Sequence, residues 1–122
     1  MAKILVIDDN EALRKMVARM LQGAGHEVVS AGDGKRGIAL FEEQSPDLVI
    51  TDILMPDMDG VETVTSLRRI TPDVKIILMS GGGEAGSGRE YLESTDAVLD
   101  VPHVIAKPFE QADLLNMVNE VL

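Results

Sequence analysis

The sequence of 122 residues contains no cysteine and no tryptophan, and only 2 % of it is aromatic. Without cysteine, neither disulfides nor thiolate chemistry can contribute. The few aromatic residues, Phe41, Tyr91 and Phe109, leave the core to aliphatic side chains and offer no platform for stacking nucleic acid bases. No apolar run approaches the length of about 18 residues that suggests a membrane span. These absences favour a soluble domain with an aliphatic core.

Positive charge is also scarce. Eleven Lys and Arg face twenty-one Asp and Glu, so the formal net charge is −10. This balance argues against binding to the nucleic acid backbone, which depends on clustered basic residues. The Met-Ala-Lys start leads straight into a strand-like run, so we expect no signal peptide. We therefore expect a cytoplasmic protein with neither nucleic acid nor membrane as a partner.

Apolar runs of strand length alternate with helical patterns along the whole chain, which has the size of one domain. The predicted strands are 3–8, 27–31, 47–52, 74–80 and 103–106. The predicted helices are 10–24, 37–43, a third from about 61 to 70, a weak fourth at 87–98, and a fifth at 110–121. Five successive β-α pairs predict an α/β domain, a (βα)5 doubly wound five-stranded parallel sheet with helices on both faces.

Ligands bind beyond the carboxyl ends of the strands in such sheets. Asp8 and Asp9 follow the first predicted strand, Asp52 ends the third, Ser80 ends the fourth, and Lys107 follows the fifth. Three carboxylates at one edge repel each other and raise one another's pKa, a cost that a divalent cation removes. Carboxylates without His or Cys favour Mg²⁺. As a plainer alternative, Asp8 and Asp9 are an ordinary helix-capping pair.

A glycine-rich stretch, "SGGGEAGSG", occupies residues 80–88. A nucleotide-binding P-loop would need a lysine followed by Ser or Thr after the first strand, and a dinucleotide fingerprint would also follow that strand. Neither pattern is present. We interpret the stretch as a segment whose glycines permit large backbone changes next to Ser80.

Four motifs in order along the chain resemble those of response regulator receiver domains, the phosphoacceptor domains of two-component signalling. They are Asp8-Asp9 after "ILVI", "DILMPDMDG" after "LVIT", Ser80-Gly81, and Lys107-Pro108-Phe109. The resemblance covers essentially all of residues 1–122. It implies a stand-alone receiver domain of flavodoxin-like fold with no output domain.

The resemblance also implies a role for each matched residue. Asp52 is the expected phosphoacceptor, a carboxylate nucleophile. Mg²⁺, or Mn²⁺ as a substitute, is expected to bind Asp9, Asp52 and the backbone carbonyl of Leu54, with Asp8 acting through water. The phosphoryl group is expected to contact Lys107, Ser80 and the backbone N–H groups of Gly81 and Met55. The Lys107–Pro108 peptide bond is expected to be cis.

The expected partners are a sensor histidine kinase or phosphotransfer protein and a downstream protein effector. The effector face is expected on the fourth helix, fifth strand and fifth helix, in a monomer or a weak phosphorylation-dependent dimer. Two features depart from the family's pattern: the interval from Ser80 to Lys107 is long, and Val104 stands where an aromatic residue is common. Leu54 and Gly82 offer no polar group to orient water, so we expect slow self-dephosphorylation.

Two other functions were weighed against this one. A small Mg²⁺-dependent phosphohydrolase with an aspartyl phosphate would need a second Asp two residues after Asp8, where the chain has Asn10. A flavodoxin-like electron carrier would need a Ser/Thr phosphate loop after the first strand and aromatic walls for flavin. The sequence therefore favours a signalling phosphoacceptor over an enzyme.

Overall fold

The computed structural model describes residues 2–53, 60–80 and 101–122. The strands in these residues are β1 (Lys3–Ile7), β2 (Glu27–Ala31), β3 (Leu48–Asp52), β4 (Ile76–Ser80) and β5 (Val104–Ala106). The helices are α1 (Glu11–Gly23), α2 (Gly34–Gln44), α3 (Gly60–Ile70) and α4 (Gln111–Val121). The helix predicted over 87–98 lies outside the described residues.

The described strands form one parallel sheet in the order β2-β1-β3-β4-β5. This arrangement confirms the predicted fold. Strand β2 lies on one side of β1, and β3, β4 and β5 follow in order on the other side. In doubly wound sheets a ligand crevice opens where the strand order reverses, beyond the carboxyl ends of the strands. Here that point lies between β1 and β3.

An aliphatic core lies on each face of the sheet. On one face, strand residues such as Val6, Ile50 and Ile77 pack with Val17 of α1 and Leu114 of α4. On the other face, residues that include Leu5, Val49 and Leu78 pack with Phe41 of α2 and Leu67 of α3. The central strands β1, β3 and β4 are therefore buried on both faces, as their nearly continuous apolar runs predict.

Two predicted boundaries were wrong by two residues or more, and the other boundaries of the described elements differ from the prediction by at most one residue. Helix α2 begins at Gly34 rather than Gly37, because the Asp33 side chain caps it by accepting a hydrogen bond from Arg36 N at 2.8 Å. Strand β4 begins at Ile76 rather than at residue 74, because a turn closed by Val74 N donating to Thr71 O at 3.0 Å comes first. Both differences arise from local hydrogen bonds that apolar periodicity does not reveal.

Gly60, the first residue of α3, lies against the end of β3. Its N–H donates to Ile53 O at 2.6 Å. A Cβ at this position would lie 2.7 Å from Ile53 Cα and 3.1 Å from Asp52 O. Only glycine permits this approach, so Gly60 sets how closely α3 packs beside Asp52.

None of the described helices is both long and apolar enough to cross a membrane.

We predict that Gly60→Ala lowers the free energy of unfolding by about 1–3 kcal/mol, because a methyl group meets backbone atoms that cannot rotate away. Gly23→Ala is the matched control. A Cβ at Gly23 has no neighbouring atom within 4 Å, so this change is expected to leave stability the same or raise it by up to about 1 kcal/mol. Urea denaturation of both variants measures the difference, and equal stabilities would contradict the close approach.

Candidate functional site

Three carboxylates converge at the carboxyl ends of β1 and β3. Asp8 and Asp9 follow β1, and Asp52 is the last residue of β3. Carboxylate oxygens of these three residues lie within 4.8 Å of one another. Asp8 is completely buried and Asp52 is 6 % exposed, whereas Asp9 is exposed. The sheet thus brings together the acidic residues that the sequence predicted to form one site.

Lys107 connects the two buried carboxylates. Its Nζ lies 3.1 Å from Asp8 Oδ2 and 3.3 Å from Asp52 Oδ2. The backbone holds this lysine in place, because Lys107 N donates to Ser80 O at 2.9 Å. The Lys107–Pro108 peptide bond is cis. Lys107 is therefore part of the site, with a side chain that is only 17 % exposed.

Backbone N–H groups bind the second oxygen of each buried carboxylate. Asn10 N donates to Asp8 Oδ1 at 2.9 Å, and Ile53 N donates to Asp52 Oδ1 at 2.8 Å. Each carboxylate is thus held between one N–H group and the Lys107 ammonium. The cap of α1 is Asn10, whose side chain accepts from Leu13 N. The interpretation of Asp8 and Asp9 as an ordinary capping pair is therefore wrong.

Ser80 ends β4 beside this cluster. In the sheet register Asp52 is opposite Met79, and Ser80 is opposite Ala106. Ser80 is 8 % exposed. Its backbone therefore lies between the strand that ends at Asp52 and the strand that precedes Lys107, at the same edge of the sheet.

Burial raises the pKa of the Asp52 carboxyl above its ordinary value. The positive charge of Lys107 opposes this shift, and the negative charge of Asp8 adds to it. Repulsion between carboxylates, the cause expected from the sequence, is thus a smaller contribution than loss of solvent. Because three carboxylates share one lysine, the site carries an excess of negative charge that a cation would relieve.

The donor set fits Mg²⁺. Carboxylate oxygens are the ligands that Mg²⁺ and Mn²⁺ prefer. Two oxygens bound to one Mg²⁺ at about 2.1 Å lie at most about 4.2 Å apart. Separations of up to 4.8 Å among Asp8, Asp9 and Asp52 therefore need only small side-chain adjustments. The other predicted contacts, Leu54, Met55 and Gly81, lie outside the described residues.

Sequence reasoning missed one residue that touches the site. Arg14, on α1, donates from Nη1 to the backbone oxygen of Asp8 at 2.8 Å. The sequence offers only a weak indication that Arg14 lies near the site, since this residue is on the first turns of the helix that follows the acidic pair. The contact itself depends on the side-chain path, which local sequence does not determine.

Comparison with known proteins agrees with this geometry. Residues 4–119 match the family model for the response regulator receiver domain. The chain belongs to this family of signalling domains, whose members act as receivers rather than as classical enzymes.

The chain matches its individual relatives over nearly all of its own length but over different shares of theirs. It is 31 % identical to the response regulator receiver protein CpdR of Brucella abortus, over 100 % of this chain and 98 % of that protein. It is 33 % identical to the probable transcriptional regulator ycf27 of Guillardia theta, over 98 % of this chain but only 45 % of that protein. The chain thus spans about half the length of the ycf27 relatives that it matches.

Among solved structures, the chemotaxis protein CheY4 of Vibrio cholerae is similar over 100 % of this chain and 99 % of its own. The TM-score is 0.88 and the sequence identity is 30 %. This similarity confirms the receiver fold that the strand order indicates.

We predict that Asp52→Asn raises the melting temperature at pH 7 by a few degrees when no divalent cation is present. The pKa of Asp52 is higher in the folded protein than in the unfolded chain. The unfolded chain therefore releases the Asp52 proton at lower pH than the folded protein does. Ionisation therefore lowers stability as the pH rises through this interval, and the loss persists at pH 7. Asparagine avoids this loss, while Lys107 keeps its ion pair with Asp8.

The matched control is Asp73→Asn, which removes a charge from an exposed residue and should change the melting temperature little. Circular dichroism at several pH values measures both variants. The advantage of Asp52→Asn should vanish below the ordinary aspartate pKa of 3.8, where both states are protonated. A lower melting temperature at pH 7 would show that Asp52 stabilises the fold.

Proposed function

We propose that this protein is a phosphoacceptor switch of a two-component or phosphorelay system, with Asp52 as the residue that receives the phosphoryl group. The observation that carries the proposal is the bridging of Asp8 and Asp52 by Lys107 at the switch point of the sheet. Membership of the receiver family supports it. The donor is the phosphohistidine of a sensor kinase or of a phosphotransfer protein.

In the reaction a carboxylate oxygen of Asp52 attacks phosphorus. A P–O bond forms as the P–N bond to histidine breaks, and the leaving imidazole takes up a proton. Ile53 N–H holds Asp52 Oδ1 at 2.8 Å, while Oδ2 contacts Lys107. The N–H group thus orients the carboxylate, and the Lys107 ammonium can form an ion pair with an incoming phosphoryl oxygen. Positioning and charge neutralisation are the protein's main contributions to such a transfer.

Asp8, Asp9 and Asp52 would hold Mg²⁺, with Mn²⁺ as a substitute. When bound, the ion neutralises charge on the carboxylates and on the transferred phosphoryl group. Lys107 alone cannot do so, since it already faces two carboxylates. Ser80, at the end of β4, is the proposed hydroxyl that moves to the phosphoryl group.

A phosphoryl group on Asp52 carries roughly −1.5 to −2 charges. It replaces the single negative charge of the free carboxylate, so this edge of the sheet becomes more negative. Lys107 precedes α4 and follows β5, so any change in its contacts acts directly on those elements. We propose that β5, α4 and the segment predicted as the fourth helix form the face that binds a downstream protein. The cytoplasm, where kinases of this type present their phosphohistidine, is the proposed location.

The central test is incubation with Mg²⁺ and acetyl phosphate, followed by intact mass. We expect one added phosphoryl group on the parent protein and none on Asp52→Asn, because the substituted amide is not a nucleophile. Asp73→Asn is the matched control and should gain the group as the parent does. Omitting Mg²⁺, or adding a chelator, should abolish or strongly slow the uptake.

Uptake by Asp52→Asn at the parent's rate would assign the acceptor to another residue. A parent that gains no phosphoryl group from acetyl phosphate or from phosphoramidate would overturn the proposed function. After the donor is removed, slow loss of the group is expected. Rapid multiple turnover of a phosphate ester would instead favour the alternative of a small phosphohydrolase.

A further inference from the structure

We propose that Arg14 is a positioning residue of the metal site: it sets the direction of Asp9 by holding the peptide plane between Asp8 and Asp9. Arg14 Nη1 donates to Asp8 O at 2.8 Å. This oxygen belongs to the same planar peptide unit as Asp9 N and Cα. Fixing the oxygen therefore fixes the N–Cα bond of Asp9, the bond about which its side chain turns. The inference rests on the proposed Mg²⁺ site.

Asp9 depends on this support more than its neighbours do. Asp8 is anchored through its side chain by Lys107 and Asn10 N, and through its own N–H, which donates to Ala31 O at 3.2 Å. Asn10 is anchored as the cap of α1. Within the described part of the chain, the Asp9 carboxylate forms neither a hydrogen bond nor an ion pair. Its direction is therefore set by the backbone on either side of it.

The end of β2 leaves room for the Arg14 guanidinium. A Cβ at Gly32 would lie 3.2 Å from Arg14 Nη1, closer than ordinary van der Waals contact. Gly32 follows the end of β2, which carries no reactive group. The role of this glycine is to leave space for the guanidinium. A side chain there would press on the guanidinium and shift its hydrogen bond to Asp8 O.

The positioning role and the charge of Arg14 have opposite effects on cation binding. A guanidinium near the site repels a divalent cation, so its removal should strengthen binding if charge were the only effect. Loss of support for a ligand should weaken binding, and groups that orient metal ligands are typically worth about 10–100-fold in affinity. The sign of the change therefore distinguishes the two roles.

The test is a Mn²⁺ titration followed by the electron paramagnetic resonance signal of free Mn²⁺. We expect Arg14→Met to bind Mn²⁺ at least about tenfold more weakly than the parent. Lys15→Met is the matched control, since it removes the same charge from the next residue of α1, an exposed lysine paired with Glu11 at 2.9 Å. That variant should bind Mn²⁺ as tightly as the parent or slightly more tightly.

Two further measurements separate positioning from general stability. Gly32→Val keeps Arg14 but crowds it, and should also weaken Mn²⁺ binding. Hydrogen exchange in the metal-free protein should be faster in Arg14→Met at the Asn10 amide, which donates to Asp8 Oδ1 in the same loop, with the amides of the central strands unchanged. If Arg14→Met has a lower melting temperature than the parent but binds Mn²⁺ with the same affinity, the substitution has removed only a structural contact.

Unchanged or tighter Mn²⁺ binding by Arg14→Met overturns the positioning role. The parent protein and Asp52→Asn in the same titration test the site itself. If the parent fails to bind Mn²⁺, the proposed metal site is wrong and this inference falls with it. If the parent binds and only the Arg14 result disagrees, the proposed function stands and this inference is rejected.

Discussion

The ammonium of Lys107 lies between two buried carboxylates, and the organisation of the whole sheet edge depends on this contact. Asp8 follows β1, Asp52 ends β3, and Lys107 follows β5 while its N–H binds Ser80 at the end of β4. One residue, through its side chain and its backbone, therefore connects the carboxyl ends of four strands. A buried charge without a partner is costly, so these ends are held together by the need to keep both carboxylates compensated.

That compensation is incomplete, as the charges at the site show. One lysine pairs with two buried carboxylates, and a third, exposed carboxylate lies near them without a pairing of its own among the described residues. Burial raises the pKa of Asp52 and so opposes the ionised form. A site of this kind is less stable alone than with a cation, and structures commonly give up stability where function requires it. The same excess of carboxylate oxygens suits the edge to a divalent cation, the ligand proposed for this site.

A few contacts around the site hold the backbone near the carboxylates in place. Gly60 brings α3 against the backbone of Asp52 and Ile53. On the other side of the switch point, Arg14 and Gly32 support the loop after β1. These residues carry no chemistry of their own. They restrict the backbone from which the reactive carboxylates depart, and a metal site tolerates little error in those directions.

The strand and helix order could be predicted from the sequence because buried parallel strands are short continuous apolar runs and helices have a different period. The boundaries of α2 and β4 could not, because the Asp33 cap and the turn at Thr71–Val74 override that periodicity. The ordered motifs at the strand ends also predicted which residues share the site. They could do so because parallel strands place all their carboxyl ends at one edge.

By itself, then, the sequence determined the fold class, the edge at which the chemistry lies, and the identities of Asp8, Asp9, Asp52, Ser80 and Lys107. Only the tertiary structure decided that Lys107 pairs with both buried carboxylates and that burial dominates the pKa shift of Asp52. It alone also brought Arg14 to the backbone of Asp8. The reason is physical: local patterns record which residues are buried, whereas distances between side chains from different strands arise only when the sheet packs.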